Sequence, residues 1–176
     1  NRSSDTVTLS GAITASNRGI LLTSNTGATI NFSGALSLNT GANPAFTATG
    51  GGTISASDAA NAASTTTATA INVANTTIGA GGLNFRSVSA GTAASGPVNG
   101  IVLNTTGALG GLTVTGSGTA GSGGTIQRTS GDGISLTATR SPSFAWMSIQ
   151  NTAGHGIGGT TVTDFSLTNS ANNISG

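Results

Sequence analysis

The apolar residues of this chain do not follow a helical period. They fall in short runs that alternate with small polar residues: Ile20-Leu21-Leu22, Phe46-Thr47-Ala48, Ile71-Asn72-Val73, Ile101-Val102-Leu103, Ile134-Ser135-Leu136 and a last start at Ile157. Each run is entered through a glycine or alanine, at Gly19, Ala45, Ala70, Gly100, Gly133 and Gly156. Alternation at a period of two marks a strand with one buried face. The anchors that open these runs lie 23 to 33 residues apart, inside the window of stacked repeat architectures. Each repeat carries a second alternating run, at Thr29–Phe32, Gly52–Ser55, Leu83–Phe85, Leu112–Thr115, Phe144–Ile149 and Phe165–Leu167. Two or three short strands per repeat leave no room for a crossover helix, which describes one coil of a β-helix.

The spacing therefore predicts an all-β fold, a right-handed parallel β-helix (β-solenoid) of roughly six to seven coils with no significant helix. Residues 1–176 read as a single β-helix domain, a segment of a longer repeat protein. The hand follows from the usual hand of parallel connections. Corners are expected at Gly50-Gly51-Gly52, Gly110-Gly111, Gly123-Gly124 and Gly158-Gly159, where tight bends call for positive φ. The two longest repeats contain Ser89–Gly96 and Gly116–Gly124, which read as loops bulging from regular coils. Asn, Ser and Thr at corners and outward positions are expected to form ladders with their equivalents above and below.

Composition changes this picture in one respect, the surface. Charged residues make up 5% of the chain, against about 25% in an average globular protein. Gly, Ser, Thr and Asn account for more than half of it, and Lys, Glu, Tyr and Cys do not occur. Such a bias also fits disorder, but a disordered linker has no reason to keep a strand period. The net charge is +1, and Arg2, Arg18, Arg86, Arg128 and Arg140 are scattered, so no nucleic-acid patch is expected. No apolar run approaches the 18 or so residues of a membrane span, and no signal peptide opens the chain. Beginning at Asn1, it reads as a processed product or an excised fragment. The lack of Cys excludes a disulfide framework and suits export in an unfolded state.

Two stretches carry a resemblance. GIVLNTTGALGGLTVTGSGTAGSGGTIQRTSGDGISL (100–136) and SIQNTAGHGIGGTTVTDFSLTNSANNIS (148–175) resemble the Asn/Thr/Gly-rich repeats of large bacterial secreted β-helix proteins, the autotransporter-passenger-like or haemagglutinin-like surface adhesins. The resemblance extends from about Gly19 onward. It implies an extracellular or cell-surface location and a role as stalk, adhesin or filament body. It brings no shared catalytic motif.

The residues themselves offer few sites. The carboxylates are Asp5, Asp58, Asp132 and Asp164, none paired at short spacing as glycan cleavage requires. Asp132 and His155 each stand two residues before an anchor, so they are expected one rung apart on adjacent coils. Such a pair can act as an acid–base unit or as a corner ion pair in a polar ladder, and with no nucleophile or third member nearby the ladder is the favoured reading. A polysaccharide lyase or hydrolase would need Asp132, His155 and an arginine such as Arg128 to converge. No metal and no cofactor are expected: Ser130-Gly131-Asp132-Gly133 stands alone rather than repeating every nine residues, and the Gly-rich loops have neither lysine nor following helix to hold phosphate.

Trp146 lies in the run Phe144–Ile149, where Met147 and Ile149 are expected to point inward. That leaves Trp146 at a bend or facing out, either stacking on a sugar ring or covering a gap under a loop. Thr-X-Thr triplets at residues 6–8, 47–49, 67–69, 113–115, 137–139 and 161–163 raise ice binding. They fall at unequal offsets from the anchors, and an ice-binding face needs one column. Asn-X-Ser/Thr sites at Asn1, Asn31, Asn75, Asn104 and Asn173 are expected by chance at this composition. The sequence reads as non-enzymatic: a structural extracellular scaffold, a stalk or filament segment associating through open coil ends. The alternatives are an adhesin module for cell-surface glycans, a polysaccharide lyase or hydrolase, and an ice-binding module.

Overall fold

A computed structural model describes residues 5–173, so Arg2 and the site at Asn1 lie outside the described residues. The chain winds into a parallel β-solenoid of about seven coils, with no helix among the described residues. Each complete coil gives one strand to each of three faces. Face A stacks β1 (Thr6–Leu9), β4 (Thr29–Phe32), β7 (Thr53–Ala56), β10 (Thr77–Phe85), β13 (Leu112–Val114), β16 (Ser143–Ala145) and β19 (Ser166–Thr168). Face B stacks β2 (Ile13–Ala15), β5 (Leu36–Gly41), β8 (Ala62–Thr65) and β11 (Ser87–Ser89), then β14 (Gly124–Gln127), β17 (Met147–Gln150) and β20 (Ala171–Asn173). A bridge between Ala90 and Ile126 joins its two blocks. Face C stacks β3 (Ile20–Thr23), β6 (Phe46–Thr49), β9 (Ile71–Ala74), β12 (Ile101–Asn104), β15 (Ile134–Arg140) and β18 (Ile157–Thr163).

The six anchors form one column. Ile20, Phe46, Ile71, Ile101, Ile134 and Ile157 are successive lateral partners on face C. The small residue before each anchor sits in a tight buried bend: Ala45 and Ala70 are fully buried, and a Cβ on Gly19 would come within 1.8 Å of the Ala45 carbonyl oxygen. Inside, one continuous apolar cluster runs through the stack, with Phe46 edge-on to both Phe32 and Phe85 at centroid distances of 5.9 and 6.3 Å.

The corners differ from the glycine-based expectation. Gly50, Gly51 and Gly52 do have positive φ, but Gly158 and Gly159 lie inside β18 and no bend occurs there. Instead, the bend that ends face C falls four residues past every anchor, at Ser24, Gly50, Asn75, Thr105, Ala138 and Thr161, all with φ between 46° and 79°. For a non-glycine residue this left-handed conformation costs about 1–2 kcal/mol in isolation. Stacking offsets it: the amides of Ser24, Gly50, Asn75 and Thr105 each donate to a carbonyl on the next rung, at Thr49, Ala74, Asn104 and Thr137. The following residue then turns inward, which buries Asn25, Thr76, Thr106 and Thr139. The run Phe144–Ile149 also divides, into β16 on face A and β17 on face B. The segments between β11 and β12 and between β13 and β14 are loops, as their length implies.

Candidate functional site

Two six-residue corners on adjacent coils share one pattern: Arg128-Thr129-Ser130-Gly131-Asp132-Gly133 and Asn151-Thr152-Ala153-Gly154-His155-Gly156. Both begin with a left-handed residue, Arg128 at φ 56° and Asn151 at φ 52°. The threonine that follows is buried, and its hydroxyl donates to the carbonyl two residues on, Thr129 to Gly131 at 2.9 Å and Thr152 to Gly154 at 3.1 Å. The same bend is thus built twice, one rung apart. It delivers Asp132 and His155 to the same position just before face C.

The two side chains meet. The His155 backbone amide donates to Asp132 Oδ1 at 2.8 Å, and His155 Nδ1 lies 3.0 Å from the same oxygen. The carboxylate is the more enclosed partner, with its side chain 27% exposed against 81% for the imidazole. Two glycines make room for it: a Cβ on Gly154 would come within 2.6 Å of Oδ1, and one on Gly158 within 2.4 Å of Oδ2. The polar chain continues downward, Asn99 Nδ2 donating to the Asp132 carbonyl at 2.9 Å and Thr69 Oγ1 to the Asn99 carbonyl at 2.8 Å. Beside the pair a recess of about 410 Å³ opens on face C, walled by Asp132, His155, Ser135, Thr137 and Thr160.

Arg128 takes no part in this recess. Its guanidinium turns to the loop before β12, where Nη1 donates to the Gly91 carbonyl at 3.0 Å. Arg140 is paired with Asp164 at 3.3 Å on the exposed surface. No three or more His, Asp, Glu or Cys side chains cluster as metal ligands among the described residues.

Trp146 stands at a different corner, between faces A and B, on a rung between Gly116 and Asn169. All three have positive φ, and 59° is costly for an indole-bearing residue. The side chain is half-buried, and a Cβ on Gly116 would come within 2.7 Å of its Cβ and 2.9 Å of its Cδ1. Gly116 therefore lets Trp146 lie against the base of the loop leading to β14. The width of face B separates Trp146 from the Asp132–His155 recess.

Polar ladders line the outside. Gln150 Nε2 donates to Gln127 Oε1 at 3.0 Å, Ser55 Oγ to Asn31 Oδ1 at 2.7 Å, and Asn43 Nδ2 to Asn17 Oδ1 at 3.0 Å. The Thr-X-Thr triplets do not stack on one another: residues 6–8 lie on face A, 47–49 on face C, and Thr139 is buried beyond the bend at Ala138. The longest threonine column is Thr6, Thr29, Thr53 and Thr77 on face A; on face C threonines meet only in pairs, such as Thr23 with Thr49 and Thr137 with Thr160.

These features define a parallel β-solenoid carrying one carboxylate–imidazole pair. Comparison with family models, with curated proteins and with solved structures finds no significant match. For the pair itself, Asp132→Ala is expected to lower stability by less than about 1 kcal/mol, since a largely exposed imidazole gains little from an ion pair. Urea unfolding followed by the fluorescence of Trp146, the sole tryptophan, measures this.

Proposed function

We propose that the chain is a structural segment of an extracellular bacterial surface protein, a shaft or filament element whose coils associate end to end. The observation that carries this reading is the parallel stacking of strands on all three faces, continuous along faces A and C and in two bridged blocks on face B, under an almost uncharged surface. Each coil serves mainly to continue the one before it, and the parallel ladder bonds run along the stack axis. The terminal coils support axial association. At one end Leu9, Ile13, Ile20 and Leu22 are only partly buried around a recess of about 380 Å³. At the other end Ile157, Val162 and Leu167 are likewise only partly buried. Strand edges flanked by apolar side chains are templates for further pairing.

Sedimentation and electron microscopy of the purified chain test the proposal. The expected result is rods that lengthen with concentration and show a layer repeat of about 4.8 Å along their axis. A soluble folded monomer with no tendency to associate up to high concentration overturns it.

A further inference from the structure

We infer that the recess beside Asp132 and His155 is a binding site for a single neutral hexopyranose, such as the terminal or branch residue of a glycan. The shaft would then carry a lectin-like site on face C as well as its structural role. The inference does not depend on axial association.

Four observations converge on it. First, the outward column of face C runs Leu21, Thr47, Asn72, Val102, Ser135, Gly158. The side chain is missing only at the last rung, where the Asp132 carboxylate takes part of the vacated space and forms one side of a notch beside Ser135. Second, a carboxylate oxygen faces this notch without a protein partner. Asp132 Oδ1 takes both bonds from His155, while Oδ2 lies where a side chain on Gly158 would stand, within 2.4 Å of a Cβ placed there, and accepts nothing among the described residues. A half-enclosed carboxylate oxygen in this state gains most from a strong donor such as a sugar hydroxyl.

Third, Thr137 and Thr160 line the recess on adjacent rungs, being lateral partners two residues along the strands from Ser135 and Gly158. Rungs are about 4.8 Å apart, which is also the separation of equatorial hydroxyls on alternate carbons of a pyranose ring. Fourth, Nδ1 is engaged by the Asp132 carboxylate, leaving Nε2 of the exposed imidazole for a sugar hydroxyl. At about 410 Å³ the recess sits toward the small end of ligand sites, roughly 300–1,000 Å³, which suits one ring rather than a chain. The ligand is neutral because the guanidiniums of Arg128 and Arg140 are committed elsewhere, and the carboxylate would repel a uronate or sialate.

The protein contains one histidine, so its ring resonances report on the recess alone. The experiment titrates isotopically labelled protein with the methyl pyranosides of glucose, galactose, mannose and N-acetylglucosamine, following the His155 ring signals and the Ser135 and Gly158 amides. The expected result is saturable shifts of all three with at least one sugar. Asp132→Asn should weaken that binding tenfold or more and Gly158→Val should abolish it, whereas Trp146→Ala should leave it unchanged. Unaltered amide positions in β14, β16 and β17, in the two coils that carry the recess, confirm that each variant is folded there. Absence of saturable shifts with all four sugars overturns the inference. So do shifts that survive both recess substitutions, and so do shifts centred on Trp146 instead. A repeat titration in EGTA must give the same binding, since loss would mean that a bound cation and not the carboxylate holds the sugar.

Discussion

Replacing Phe46 with alanine should destabilise the solenoid by about 3–5 kcal/mol, the usual range for deleting a buried aromatic ring. Phe46 is fully buried, lies between Ile20 and Ile71 in the anchor column, and is the ring that Phe32 and Phe85 both touch edge-on. Its removal would open a cavity shared by three coils and strip two aromatic contacts at once. Because stability in a stacked repeat is close to a sum of neighbour terms, the loss should be local. Amide exchange should accelerate in the coils from β1 to β9 and change little beyond β13. Leu21→Ala provides the contrast. That side chain is 70% exposed on the same face, and its loss should stay within about 0.5 kcal/mol. Equal effects of the two substitutions in urea unfolding would contradict the assignment of inward and outward residues on face C.

Face C was legible in the sequence because its inward positions hold large apolar residues and because the bend before each anchor admits only a glycine or alanine. That pairing of a small residue with an anchor gave the register. Counting back two residues was then enough to place Asp132 beside His155. The middle rungs of face B were much less legible. There the inward residues are Ala63, Val88 and Ala90, beside which outward Ser64, Ser87 and Ser89 are of similar size, so hydropathy contrast is weak.

The corners were hidden for a different reason. Serine, glycine, asparagine, threonine and alanine all occupy the left-handed position four residues past an anchor. Local propensity favours only glycine and asparagine in that conformation. The conformation is imposed by bonds to neighbouring rungs, which no local window of sequence contains. The recess shows the same limit. Gly158 and Gly159 look like a turn in sequence, yet in β18 the missing side chain of Gly158 is what admits the Asp132 carboxylate.

Asn61 was equally silent in the sequence, and its replacement by leucine should have the second-largest effect. The residue is fully buried in an alanine-rich stretch at the start of face B. Its Oδ1 accepts from the Leu36 amide at 2.7 Å and its Nδ2 donates to the Asn84 carbonyl at 2.8 Å, so one side chain ties together three successive coils. Leucine keeps the same branched heavy-atom skeleton, so no cavity opens; its bulkier methyl groups add some overpacking to the polar loss. Both backbone groups would be left buried without partners, at about 1–3 kcal/mol each, so a total loss of roughly 2–6 kcal/mol is expected.

A second pair checks that reasoning. Thr106 and Thr139 satisfy each other through a 2.6 Å hydroxyl contact inside the face C corner. Thr106→Val alone should therefore be costly, because it strands the Thr139 hydroxyl, while the double valine variant should recover most of the loss. Asn61 offers no such rescue, since its partners are backbone groups that no substitution removes. If Asn61→Leu proves neutral while the threonine cycle behaves as described, water must reach the Leu36 amide and the Asn84 carbonyl. The corner at Asn61 would then be a solvated seam in the stack and not a sealed joint.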